Sequence, residues 1–74
     1  MILRTTLVNK IRQLGYTLNQ ETKRVHIFRL KGGTHFITLK KTDKLEDEFV
    51  RSTLFQAGVN QADINAFVGL HTVP

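Results

Sequence analysis

The sequence predicts an α+β domain: a three-stranded antiparallel sheet with helices on one face, in the order α-β-β-β-α. Two observations carry this. Apolar residues recur at helical spacing near the start of the chain and again after residue 44, and between them runs a β-rich stretch, Val25 to Lys41, broken only at Gly32-Gly33. Helices before and after a meander of strands bury their stripes on one side of it and leave the other side wet.

Leu3, Leu7, Val8, Ile11 and Leu14 share one helical face, and Asn9, Lys10, Arg12 and Gln13 take the other. The first helix is expected from about Thr5 or Thr6, either of which can cap it, to Leu14, with Gly15 at the C′ position. Tyr16-Thr17-Leu18 then opens a strand whose polar continuation, Asn19 to Lys23, reads as a strand end or a turn. A hairpin follows from about Arg24 to Lys41, with the glycine pair supplying the positive φ of its turn.

That turn places Leu30 opposite His35, Phe28 opposite Ile37 and His26 opposite Leu39. Side chains alternate along a strand, so His26, Phe28, Leu30, His35, Ile37 and Leu39 share the face that should meet the helices. The other face holds Val25, Ile27, Arg29, Lys31, Thr34, Phe36, Thr38 and Lys40. It is amphipathic and basic.

Asp43-Lys44-Leu45-Glu46 has the form of a capping box, and acids at 46, 47 and 48 suit a first helical turn. This explains the acidic run without a metal. Leu45, Phe49, Val50, Thr53, Leu54 and Ala57 then form a buried stripe, closed by Gly58. Asn60, with Asp63 three residues on, caps a short third helix with Ile64, Ala66, Phe67 and Val68. Order is expected over about 3–68 of one domain, 1–74, with Gly69 to Pro74 as a mobile tail.

The chain has 74 residues, so its core is thin, burying only about 60% of the unfolded surface. It has no cysteine, hence no disulfide and no thiolate metal site. No apolar run approaches the roughly 20 residues of a membrane span, and Met1-Ile2-Leu3-Arg4 lacks the layout of a signal peptide. A soluble protein of the cytoplasm is expected.

The formal net charge is +5, and it is unevenly spread. Of the 11 Lys+Arg, only Lys44 and Arg51 lie beyond residue 41; of the 6 Asp+Glu, only Glu21 lies before it. A basic half suggests a polyanionic partner, either nucleic acid or an acidic protein. No zinc-protease helix, phosphate loop or dinucleotide fingerprint is present, and Lys31-Gly32-Gly33-Thr34 is a hairpin turn. His26 and His35 stand near opposite ends of the hairpin, too far apart to hold one metal. His35 reads as a sheet-end residue covering apolar neighbours, and His71 falls in the tail.

Leu14-Gly15-Tyr16 after the first helix, a histidine at the start of the second strand, and Phe49-Val50-Arg51-Ser52-Thr53-Leu54-Phe55-Gln56-Ala57-Gly58 followed by Asp63-Ile64-Asn65-Ala66-Phe67 form a pattern. It resembles the HicA toxins, small RNA-cleaving members of type II toxin–antitoxin pairs with a double-stranded-RNA-binding-domain-like fold. The likeness spans Leu3 to Phe67. It implies a metal-independent endoribonuclease (mRNA interferase) with one histidine, no cofactor, and two partners: RNA and a cognate antitoxin protein.

His26 lies 11 positions beyond Gly15 and 19 before Leu45, which leaves room for both remaining strands. His35 lies 20 beyond Gly15 and 10 before Leu45, which would delete one, so the resemblance assigns catalysis to His26. Arg24 and Val25 precede it where the family has glycine with serine or glycine. On this reading Arg24, Arg29, Lys31, Lys40 and Lys23 hold the RNA backbone, and no metal is required. The alternative is a non-catalytic interaction module that uses the same basic sheet to bind RNA or an acidic partner protein.

Overall fold

Gly15 and Gly58 sit at φ of 100° and 88°, a left-handed backbone that ends a helix without the clash a side chain would bring. These two stops divide the chain. In the computed structural model, which describes residues 1–74, β1 (Ile2–Leu3) leads into α1 (Arg4–Gln13) before the first stop. Then come β2 (Tyr16–Glu21), β3 (Val25–Leu30), β4 (Phe36–Lys40) and β5 (Lys44–Leu45). Helix α2 (Asp47–Gln56) precedes the second stop and α3 (Gln61–His71) follows it. Strands β2-β3-β4 form an antiparallel meander in that order, and β1 pairs with β5 in a separate two-stranded ribbon. The fold is the expected α+β arrangement.

The hairpin has the expected register: Phe28 faces Ile37, His26 faces Leu39, and the Leu30 N–H donates to the His35 carbonyl at 3.0 Å. Its turn is framed differently. Gly33 N–H donates to the Leu30 carbonyl, so Lys31 and Gly32 are the central residues, and only Gly32 has positive φ, 75°. Gly33 serves by lacking a side chain, because a Cβ there would come within 3.1 Å of Leu30.

Between β2 and β3 the pairing shifts by one residue after Leu18, leaving Asn19 as a β-bulge. Beyond it Gln20 pairs with Ile27 and Glu21 with His26. Without the bulge Glu21 would stand opposite Val25 and point to the other face.

One face of the meander supplies Tyr16, Phe28, Ile37 and Leu39 to the core, and the helices answer with Leu7, Ile11, Val50, Leu54, Ile64 and Val68. Ile2 and Leu45, from the small ribbon, complete it. Thr17, Arg29, Phe36, Thr38 and Lys40 stand exposed on the opposite face.

Three terminations differ from expectation. Helix α1 starts at Arg4 with Leu3 in the cap position and no side-chain cap, so neither Thr5 nor Thr6 caps it. Burial of Ile2 against Leu45 draws the preceding residues into a strand, and the Arg4 N–H donates to the Asp43 carbonyl at 2.9 Å instead. The same pairing takes Lys44 and Leu45 into β5, so the Asp43–Glu46 capping box does not form; α2 begins at Asp47 with Glu46 in the cap position. Asp47 and Glu48 still occupy its first turn, where the helix dipole favours them.

Helix α3 has the expected cap, with Asn60 accepting from the Asp63 N–H at 2.8 Å and donating to its carboxylate at 3.0 Å. It runs past Gly69 to His71, where a tail is expected from the sequence. Thr72 then bridges to Ile2. No helix is long and apolar enough to cross a membrane.

Candidate nucleic-acid interface

The open face of the meander is arranged in rows by its register. Thr17, Arg29 and Phe36 lie across from one another; Gln20, Ile27 and Thr38 form the next row; Val25 and Lys40 end the sheet. Phe36 is 50% exposed, a ring no core position explains. Arg29 reaches back to donate to the Gly33 carbonyl at 3.1 Å, which holds its guanidinium beside the turn that carries Lys31. None of these outward residues is acidic. Lys23 and Arg24 extend the positive charge from the exposed β2–β3 turn, where Thr22 Oγ1 accepts from the backbone N–H groups of Arg24 and Val25.

His26 is on the other side. Its side chain, 20% exposed, faces a polar cleft of about 210 Å³ shared with Arg4, Glu21, Lys41, Thr42 and Asp43. The start of α1 delivers Arg4 to this cleft, and the bulge at Asn19 delivers Glu21. The Lys41 N–H is fixed to the Arg24 carbonyl at 2.9 Å.

The Arg4 guanidinium donates to His26 Nδ1. Arginine has no acceptor, so Nδ1 offers its lone pair and the ring proton resides on Nε2. Nε2 faces Glu21 Oε2 at 3.4 Å, and Lys41 Nζ donates to that same oxygen at 2.5 Å. The hydrogen bond and charge of Lys41, with a smaller part from His26, hold the Glu21 carboxyl below the usual carboxylate range. Arg4 Nε is buried and has no partner. The cleft thus brings two permanent cations and an imidazole around the Glu21 carboxylate, with Asp43 as a second acid in its lining, an arrangement suited to a phosphate group or to proton transfer beside one.

The residues singled out from the sequence therefore fall into two groups. Arg29 and Lys40 share the open face, with Lys31 in the exposed turn beyond β3; His26 does not join them and meets Arg4 directly and Lys41 through Glu21. Arg24 touches both, its side chain exposed and its carbonyl bound to Lys41. Sequence reasoning missed Arg4, Glu21 and Lys41 as neighbours of His26. A signal existed for Lys41, since consecutive lysines at a strand end point to opposite faces. None existed for Arg4, which is 22 residues from His26 and arrives through the packing of α1.

The other two histidines each lie against an aromatic ring, away from this cleft. The Tyr16 hydroxyl and His35 Nδ1 share a hydrogen bond of 2.6 Å, with the rings edge-on at 5.7 Å, and burial pushes the Tyr16 phenol up. His71 lies against Phe67 at 4.6 Å. Nowhere do three His, Cys, Asp or Glu side chains gather as a metal-ligand group.

Comparison with family models, curated proteins and solved structures returns no match. The likeness to HicA toxins rests on the sequence motifs alone.

Proposed function

We propose that this domain is a HicA-like RNA-binding protein that takes a single strand across the open face of its sheet. The observation that carries the reading is an acid-free face in which exposed Phe36 lies beside Arg29, with Ile27 in the next row and Lys31 and Lys40 toward its two ends. Cations that track phosphates around an aromatic ring on which a base can stack are the minimal equipment for binding single-stranded RNA. The test is amide chemical-shift mapping with a short RNA oligonucleotide. Thr17, Arg29, Phe36 and Thr38 should move most; shifts confined to α2 and α3 would reject the open face.

A second reading, cleavage, is favoured by the His26 cleft. RNA carries its own nucleophile, the 2′-hydroxyl. His26, its lone pair freed, would take the 2′-hydroxyl proton as O2′ bonds to phosphorus and the P–O5′ bond breaks, and would return a proton to the leaving 5′-oxygen. Arg4 and Lys41 would stabilise the negative charge on the non-bridging oxygens, with no metal or cofactor in the scheme. Both ring nitrogens of His26 are engaged by Arg4 and Glu21, so cleavage requires the incoming phosphate to release at least one. A domain that keeps both contacts would be the non-catalytic module, binding RNA or an acidic partner protein. The HicA likeness adds a cognate antitoxin as the controlling partner and the cytoplasm as the place of action.

A further inference from the structure

We infer that Arg4, His26 and Lys41 form a phosphate-binding seat on the helix side of the sheet, and that the Glu21 carboxylate occupies it in place of a phosphate. The inference rests on the proposed RNA binding and adds to it a second contact surface, apart from the open-face cations.

Four features support it. First, one oxygen, Glu21 Oε2, is shared by Lys41 Nζ and His26 Nε2, while Arg4 approaches the far side of the same ring. An anionic oxygen held between a cation and an imidazole N–H is how a non-bridging phosphate oxygen would be held. Second, the residues lining the cleft are all polar, and the buried Arg4 Nε is left without an acceptor. A carboxylate already shared between Lys41 and His26 does not satisfy it; a phosphate, with more oxygens, has one to offer.

Third, Glu21 reaches the cleft only because the bulge at Asn19 re-aims it, and its side chain remains 53% exposed at a strand end. It can turn out into water. Replacing its single negative charge by that of a phosphodiester leaves the charge of the seat unchanged. Asp43, at the rim, is the remaining acid facing the cleft. Fourth, Lys40 and Lys41 are neighbours on opposite faces. An RNA strand leaving the open face past the end of β4 meets Lys40 first and Lys41 next.

The experiment uses Glu21→Gln, a change of charge at an exposed position with little change of shape. RNA affinity should rise about two- to five-fold, the worth of one exposed ion pair, and log Kd should depend on log salt more steeply by about 0.7, one further phosphate contact on a single strand. Adding Lys41→Ala to that variant should remove both gains. Inorganic phosphate, titrated against Glu21→Gln without RNA, should shift the ring signals of His26.

Equal RNA affinity and equal salt slope in wild type and Glu21→Gln, with His26 signals unmoved by phosphate, would overturn the seat and leave open-face binding intact. If neither protein binds RNA while phosphate still shifts His26, the seat stands and the open-face reading falls.

Discussion

His26 and Arg29 leave the same strand on opposite faces of the sheet. His26 lies toward the helices against Arg4 and Glu21; Arg29 lies toward solvent across from Phe36. On the proposed reading, the open face is the main surface that holds RNA and the His26 cleft the one that acts on it, and mutations can separate the two.

On the cleavage reading, His26→Ala should lower the rate of RNA cleavage by about 10²- to 10⁴-fold, the usual worth of a positioned acid–base group. RNA binding should survive the change. EDTA should have no effect, and His35→Ala, which loses a contact to Tyr16, should cut as wild type does. A gel assay on end-labelled RNA decides the matter. Unchanged cleavage in His26→Ala would remove this residue from the chemistry.

Phe28 is 2% exposed in the central strand and faces the buried Ile37. Phe28→Ala should cost about 3–5 kcal/mol, a large share of what so small a domain possesses. Urea unfolding followed by circular dichroism measures it. A change within about 0.5 kcal/mol is the size of a surface substitution and would contradict the register.

Ile2 is fully buried, pairs with Leu45 and bridges to Thr72. It joins the small ribbon to the end of α3. Ile2→Ala should cost about 2–5 kcal/mol. Hydrogen exchange should rise at the Val73 N–H, which donates to the Met1 carbonyl, and at the end of α3 before it rises in β3. Protection lost evenly over the whole chain would deny the ribbon this local role.

The Glu21 carboxyl lies below its ordinary range, chiefly through Lys41. A carboxyl with a lowered folded-state pKa contributes stability at pH values above its unfolded pKa, and loses it as pH falls through the folded value. The Tm advantage of wild type over Glu21→Gln should thus be largest near neutrality and shrink in acid. High salt should reduce it, because the pair is exposed. An advantage that grows on acidification would contradict the ion pair.

Much of this fold is legible in local signals. Gly15 and Gly58 follow apolar stripes and stop helices, Asn60 and Asp63 form a cap within four residues, and alternation from Val25 to Lys40 separates wet from dry faces. The misses share a physical cause. Ile2-Leu3 and Lys44-Leu45 are two-residue strands, each formed only because the other is present, and neither segment carries a β signal of its own. Asp43…Glu46 has the sequence of a capping box, but burial of Leu45 against Ile2 outweighs the gain of one cap. Gly69 suggests an ending that the packing of Val68 and the pairing of Thr72 override.

The candidate site divides in the same way. Alternation alone places Arg29, Lys31, Phe36 and Lys40 together. The His26 cleft depends on a bulge and a helix start, two features that no periodicity reports.

The central claim, RNA bound on the open sheet face, is tested most directly by RNA binding isotherms across a salt series. Wild type is compared with Arg29→Glu/Lys31→Glu, the fold of both being checked by circular dichroism. Wild-type affinity should fall steeply with salt, and the double reversal should abolish binding while leaving the spectrum intact. A folded double variant that binds RNA as tightly as wild type, with the same salt slope, would contradict the account.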